Sequence, residues 1–172
     1  MVNAATQKTF GTERLFLMPL GKADLADLHI LHSDPEVMKF IREPEKSMDQ
    51  TQVTLDRMLG HTHKHPGLGF WKILTKEEHN FVGWIGVFPL ESSAEFELGY
   101  RTHCDFWGNG YVVEAAKSLL QHIQDAKLLI SCAAIINPQN SRSRRVLEKL
   151  NFKEVGKATH YNITVDKFIL EF

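Results

Sequence analysis

The stretch EFELGYRTHCDFWGNGYVVEAAKSLLQHI, residues 95–123, decides the fold of this chain. Its first part predicts a β-strand, and a helix begins near Gly110, directly after the turn WGNG. Gly108 and Gly110 let the backbone turn sharply and approach a ligand closely. The first N–H groups of a helix lack internal partners and lie at its positive dipole end, so this turn can bind phosphate. A tight turn without a ligand explains the two glycines equally well, so both interpretations stay open at this point.

Other phosphate-binding loops fit this segment less well. The sequence holds no GxxxxGK[ST] segment, which argues against a P-loop nucleotide hydrolase. The third glycine of a dinucleotide-binding fingerprint falls at Val113, and the strands before it are predicted to be antiparallel. A cofactor whose diphosphate is held by backbone amides remains compatible with the segment.

The neighbouring segments predict a mixed sheet. GFWKILT, FVGWIGVFPL and EFELGYRT are separated by the short polar breaks KEEHN and ESSAE, which favours an antiparallel meander. A run of nine residues, LLISCAAII, is too short to span a bilayer and suits a buried strand. Further strands are predicted at residues 14–20, 152–161 and 164–172.

Helices are predicted between these strands. Residues 23–41 carry a helical apolar stripe that Pro35 interrupts, and Ser47 with Gln50 forms a capping box before a helix that contains Val53. The segment HTHKH after it is predicted to be a solvated loop, and residues 141–150 form a last helix. The predicted order βααβββαβαββ is an α/β (α+β) fold, a mostly antiparallel sheet flanked by helices, with residues 1–172 as a single domain.

Composition excludes several classes of protein. The chain has 172 residues, of which 43% are apolar and 24% charged, with a net charge of −1, so disorder, collagen and general nucleic-acid binding are not expected. Cys104 and Cys132 show no metal-ligand spacing and are predicted to be reduced thiols. The first fifteen residues lack a signal-peptide pattern, so we expect a cytoplasmic protein without a membrane segment.

A second informative stretch is AAIINPQNSRSRRVLEKLNF, residues 133–152. A buried strand ends at Asn137, and Asn140 or Ser141 can cap the following helix. That helix is locally basic, through Arg142, Arg144, Arg145 and Lys149. A capping asparagine and a solvated basic face are the simplest explanation for each of these residues taken singly.

Together the two stretches resemble the GNAT superfamily of acyl-CoA-dependent N-acetyltransferases, in particular its ribosomal-protein N-terminal acetyltransferases. ELGY, FWGNGYVVEAAKSLL and NPQNSRSRRVLEKLNF match in order and spacing over residues 95–155. The superfamily motif Q/R-x-x-G-x-G/A falls on residues 107–112, with Gly110 at the fixed glycine. Trp107 replaces the polar first residue, and Val112 replaces the small last one.

The resemblance implies acetyl-CoA as co-substrate and a set of residues that hold it. Backbone amides would bind the diphosphate, and β-strand pairing would bind the pantetheine arm, which Asn140 fixes from the other side. Leu147 stands where many members have a tyrosine that protonates the leaving thiolate, and Ser143 is the nearest hydroxyl. The diphosphate residues are Trp107, Gly108, Asn109, Gly110, Tyr111, Val112 and Val113, and the strand residues are Tyr100, Arg101 and Thr102.

Glu97 is the candidate base, because it alternates with Phe96 and Leu98 and the family often keeps a carboxylate on this strand. The alternative is that Glu95 and Glu97 both face solvent. His103 and Cys104 lie near the same place and rank lower. No metal is expected, since His61, His63 and His65 have no acidic or cysteine partner at short spacing.

The resemblance implies an N-acetyltransferase whose acceptor is a primary amine, with the α-amine of a protein or peptide N-terminus preferred. Small amines, amino acids and polyamines are alternative acceptors. A non-catalytic acetyl-CoA sensor, or a protein that binds another phosphate ligand through WGNGY, is the alternative without transfer. A monomer or homodimer is expected, with no nucleic-acid or membrane partner.

Overall fold

The chain folds around an eight-stranded sheet, seen in a computed structural model that describes residues 7–160 and 162–172. The strands are β1 Phe10–Gly11, β2 Leu15–Pro19, β3 Gly69–Thr75, β4 Phe81–Pro89, β5 Phe96–Thr102, β6 Ser131–Ile136, β7 Lys153–His160 and β8 Ile163–Glu171. Their order across the sheet is β1-β2-β3-β4-β5-β6-β8-β7. This is the predicted mixed fold with a mostly antiparallel sheet.

Helices cover both faces of the sheet. The α-helices of the described residues are α1 Leu25–Ser33, α2 Pro35–Met38, α3 Met48–Lys64, α4 Tyr111–Asp125 and α5 Ser141–Lys149. Pro35 is the first residue of α2, a position where the missing N–H of proline costs no hydrogen bond. The Asp34 carboxylate caps this helix by accepting the Glu36 N–H at 2.8 Å. The Ser47 hydroxyl accepts the Gln50 N–H at 3.3 Å and so caps α3 as predicted.

The sheet opens between β5 and β6. These two strands are parallel and pair at Glu97 and Ala133, whereas the other neighbouring strands are antiparallel. Within the described residues no further pair joins them, although β5 continues to Thr102 and β6 to Ile136. The carboxyl ends of the two strands therefore frame a gap in the middle of the sheet.

Each face of the sheet carries its own apolar core. Trp71, Leu119 of α4 and Leu147 of α5 belong to the core on one face. Trp84 packs with Leu28 of α1 and Leu55 of α3 on the other face. Successive strand residues point to opposite faces, which is why Trp84 and its neighbour Ile85 belong to different cores.

Several expectations about local structure need correction. The two-residue strand β1 was not predicted, and His61 and His63 lie in the last turn of α3 rather than in a loop. Val53 lies in α3 as predicted but is 71% exposed, since the buried face of this helix is formed by Thr51, Thr54, Leu55 and Met58. The predicted strand 152–161 is observed to His160, and Tyr161 lies outside the described residues, as do residues 1–6.

No helix within the described ranges is both long and apolar enough to cross a membrane.

Candidate active site

A cleft of about 480 Å³ opens where β5 and β6 separate, and a cavity of about 70 Å³ lies between the two strand ends. All but two of the thirteen predicted site residues line the cleft: Tyr100, Arg101, Thr102, Trp107, Gly108, Gly110, Tyr111, Val112, Val113, Asn140 and Ser143. The exceptions are Glu97 and Asn109. The sequence predicts these residues on a strand, a loop and two helices that are distant along the chain. The open sheet brings these elements together around the cleft.

The WGNGY turn presents free backbone amides to the cleft. Gly108 and Gly110 have φ values of +81° and +77°, which favour glycine. The Glu114 N–H bonds to the Gly110 carbonyl at 3.0 Å and closes the first turn of α4, so the amides of residues 111–113 have no acceptor inside the helix. A Cβ added at Gly108 would meet no atom within 4 Å, so the loop is open toward a ligand. This is the geometry of an anion-binding helix terminus.

Arg14 fastens this turn to the start of β2. Its Nε donates to Glu114 Oε2 at 2.7 Å, and its Nη1 donates to the Asn109 carbonyl at 3.0 Å. The Thr12 hydroxyl also donates to Glu114, and hydrogen bonds from Thr12 and Arg14 lower the pKa of Glu114 against the opposing effect of burial. Arg14 therefore neutralises a carboxylate at the end of α4 where an anion would bind. Sequence reasoning missed this role because Arg14 and Asn109 are 95 residues apart.

We expect Arg14→Gln to weaken acetyl-CoA binding about tenfold, since it leaves the Glu114 charge uncompensated beside the phosphate site. The free energy of unfolding should change by less than about 1 kcal/mol, because Arg14 is largely exposed. Titration calorimetry on Arg14→Gln and on Arg14→Gln/Glu114→Gln measures the effect. Recovery of affinity in the double variant identifies charge as the cause, and equally weak binding in both would contradict it.

The opposite wall of the cleft comes from α5. Asn140 caps this helix, since its Oδ1 accepts the Ser143 N–H at 3.1 Å. The guanidinium of Arg142 lies 3.7 Å from the centre of the Trp107 ring, so α5 and the WGNGY turn touch across the cleft. Arg145 also lines the cleft, whereas Arg144 points away to pair with Asp166. The basic face predicted for this helix is thus divided, and part of it serves the cleft.

Glu97 occupies the other face of β5. It is only 6% exposed, and burial raises its pKa to about 7. The alternative that both glutamates face solvent is wrong for Glu97. Glu95 is partly exposed and receives a hydrogen bond from Lys167 at 2.6 Å. Glu97 therefore has the pKa of a general base for neutral pH but does not itself line the cleft.

Buried polar contacts fix the wall on the Glu97 face. The Trp84 Nε1–H donates to His32 Nε2 at 2.9 Å, and burial lowers the pKa of His32 to about 4. The neutral imidazole must then carry its proton on Nδ1, which lies 3.3 Å from the carboxylate of Glu45. The guanidinium of Arg101 lies over the Trp84 ring at 5.2 Å. These contacts hold Arg101 and α1 against the same part of the sheet.

The lower-ranked candidates Cys104 and His65 do not line the cleft. The Cys104 thiol lies 3.8 Å from Asp34, and burial raises its pKa, so the thiolate is disfavoured. His65 packs edge-on against Phe96 at the end of α3. Among the residues that the structure describes, no three His, Cys, Asp or Glu side chains are grouped as a metal ion would require.

Residues 14–153 match the family model described as "Acetyltransferase (GNAT) domain". The uncharacterised protein YkkB of Bacillus subtilis (strain 168) is 30% identical over 171 residues, 97% of this chain and 92% of YkkB. The FsC-acetyl coenzyme A-N(2)-transacetylase of Aspergillus fumigatus is 31% identical over 125 residues, 67% of this chain and 52% of that enzyme.

A solved structure of similar fold is that of RimL, a ribosomal alpha-N-protein acetyltransferase in complex with coenzyme A. It superposes with a TM-score of 0.83 at 14% identity and covers 96% of this chain and 98% of the RimL chain. At this identity the likeness concerns the fold.

Proposed function

Because the chain belongs to the GNAT acetyltransferase family, we propose that it transfers the acetyl group of acetyl-CoA to the α-amine of a protein or peptide N-terminus. The observation that carries the proposal is that the cleft at the free amides of α4 and the smaller cavity between β5 and β6 share lining residues, among them Tyr100, Asn140 and Ser143. Glu97, a buried carboxylate, precedes Leu98, which lines the smaller cavity.

The residues at the wide end of the cleft fit the anionic half of acetyl-CoA. The amides of residues 111–113 and the open space over Gly108 suit a diphosphate. Arg142, Arg145 and Lys149 line the same cleft and supply positive charge. Coenzyme A brings the activated thioester, and the protein binds and orients it.

At the narrow end, the strand amides and two side chains serve the chemistry that we propose. An amide near Gly99 or Tyr100 donates to the thioester oxygen as negative charge develops there. Glu97 accepts the proton of the attacking ammonium through a bridging water, since it is buried and does not itself line the cleft. Ser143 supplies a proton on the path that leads to the departing thiolate.

The charge around the cleft favours a singly charged acceptor. Val37, Phe40 and Ile41 form an apolar rim with Glu36 beside them. Glu45 is the buried acid of residues 41–46, IREPEK, and its carboxylate is already paired with Arg42 and His32. A polyamine needs several carboxylates in a row, whereas an α-amine needs one and has a pKa near 7.7 to 8.0 that makes it easy to neutralise.

The names of two proteins of the comparison are consistent with this choice. One is an N(2)-transacetylase and the other an alpha-N-protein acetyltransferase. The two unpaired cysteines, Cys104 and Cys132, accord with the cytoplasmic location that we propose. We propose a monomer or homodimer as the working assembly.

Competition between acceptors tests the proposal. We expect a seryl or alanyl peptide to release free CoA at least about tenfold faster than the same peptide with a blocked N-terminus and a free lysine, because the lysine amine is mostly protonated at neutral pH. Spermidine and free amino acids are the further arms. Faster turnover of spermidine, of an amino acid or of the lysine side chain would overturn the choice of acceptor. If the protein binds acetyl-CoA but releases no free CoA with any of these acceptors, the result favours the non-catalytic acetyl-CoA sensor.

A further inference from the structure

The hydroxyl of Tyr100 is a buried polar group without a hydrogen-bond partner among the described residues. Buried hydroxyls in folded proteins almost always have a partner, because leaving one unpaired costs about 1–3 kcal/mol. Tyr100 lies on β5 in the gap of the sheet and lines both the cleft and the smaller cavity. Its unpaired hydroxyl therefore sits where we propose that the thioester end of acetyl-CoA lies.

The surroundings of this hydroxyl come from one face of α5. Ser143 and Leu147 are one helical turn apart, and both line the smaller cavity with Tyr100. The Ser143 hydroxyl approaches the Tyr100 hydroxyl closely enough to lower its pKa in the manner of a hydrogen bond, although the pair does not have the geometry of a formed one. The two hydroxyls are therefore near enough for a proton relay. Leu147 is buried and apolar, so it can donate no proton to a group in the cavity.

We propose that the hydroxyl of Tyr100 donates the proton to the sulfur of coenzyme A as the thioester breaks, and that Ser143 returns a proton to Tyr100. This inference rests on the proposed acetyltransferase function and assigns to a strand the acid that the resemblance places on α5 at Leu147.

The bonds and protons of the step balance. The amine nitrogen forms a bond to the acetyl carbon, the C–S bond breaks, and its electron pair goes to sulfur. The first ammonium proton leaves through Glu97 before the attack, so the amine attacks as a neutral group. The Tyr100 O–H gives its proton to the sulfur, and Ser143 gives its own proton to the tyrosine oxygen. The second proton that the nitrogen loses as it becomes an amide passes through water in the cleft to Ser143, so no hydroxide is left.

The pKa of the Tyr100 phenol agrees with its role as proton donor. Burial raises the pKa of Tyr100 to about 12, with Ser143 and Arg101 acting in the opposite direction, so the phenol stays protonated at neutral pH. A thiol is a stronger acid, with a pKa near 8.5, so donation must be concerted with proton return from Ser143. The hydrogen bond from the phenol to the developing thiolate is then the main benefit.

Tyr100→Phe tests the inference. We expect kcat to fall about 100-fold, with the KM for acetyl-CoA within about threefold of the wild-type value, because general acids contribute roughly 10² to 10⁴. The variant should be as stable as wild type or more so, since it loses an unpaired hydroxyl. Adding Leu147→Tyr to it should restore part of kcat by placing a phenol on α5.

A readout without turnover separates this inference from the proposed function. The thiol of bound coenzyme A, followed by thiolate absorbance, should titrate at higher pH in Tyr100→Phe than in wild type, since the thiolate loses a hydrogen-bond donor. Unchanged kcat and an unchanged thiol pKa in the variant would overturn the inference and leave the acetyltransferase proposal intact. A wild-type protein that neither binds CoA nor releases it from acetyl-CoA would overturn both.

Discussion

A Gly110→Asp variant will bind acetyl-CoA at least about 100-fold more weakly than the wild-type protein. The added carboxylate would stand at the N-terminus of α4, among the amides that we propose hold the diphosphate. Two like charges about 4 Å apart near a protein surface repel by several kcal/mol, and each 1.4 kcal/mol is a factor of ten in affinity. The new Cβ would lie 3.7 Å from Arg14 Nη2, and even if the new carboxylate takes Arg14 from Glu114, one uncompensated negative charge remains.

Gly110→Asn is the matched control for this variant. Asparagine has the shape of aspartate, tolerates the positive φ of +77° about as well, and carries no charge. Titration calorimetry on both folded variants separates the cost of the side chain from the cost of the charge. If Gly110→Asp and wild type bind acetyl-CoA with equal affinity, the diphosphate does not bind at this turn. If the Asp and Asn variants lose the same affinity, the shape of the side chain and not its charge causes the loss.

The parts of the site that were predictable from sequence are those set by neighbouring residues. Alternation along β5, two glycines separated by one residue and the apolar face of α4 together fix the strand–turn–helix unit, because each depends on local backbone preferences. The cap at Asn140 is local in the same sense. The resemblance to the GNAT superfamily, which rests on these local motifs, assigned to one site the eleven residues that line the cleft, without any knowledge of the sheet order.

The parts that were not predictable depend on contacts between distant segments. Arg14 reaches Glu114 across 100 residues, and nothing in the sequence near either one signals the pair. The Tyr100 side chain gained a role only when the gap between β5 and β6 was known, because period-two alternation gives its face but not what lies opposite. Burial of Glu97 likewise follows from the packing of two sheet neighbours, which a solvent-facing strand pattern does not reveal.

Glu97→Gln should lower kcat by about 100-fold above pH 8 with little change in acetyl-CoA binding, because a base contributes roughly 10² to 10⁴ and the side chain lies outside the cleft. Since burial raises the pKa of Glu97 to about 7, the wild-type carboxyl is protonated below pH 7 and cannot act as a base there. The difference between the two proteins should therefore narrow as the pH falls below 7. The pH dependence of kcat with a saturating acceptor measures this, and an unaltered profile would place the base elsewhere.

The pH dependence of the free energy of unfolding tests the protonation of Glu97 without any substrate. The pKa of Glu97 is raised from 4.5 to about 7 on folding, so between these values the folded state holds a proton that the unfolded state has lost. The free energy of unfolding must then fall as pH rises from 4.5 to 7, by roughly 3 kcal/mol for this one group. Glu97→Gln removes that slope and should be the more stable protein at pH 8 by a similar amount, measured by denaturant unfolding at several pH values. If the slope persists in the variant, Glu97 is charged in the folded protein and its carboxylate is better solvated than its 6% exposure implies.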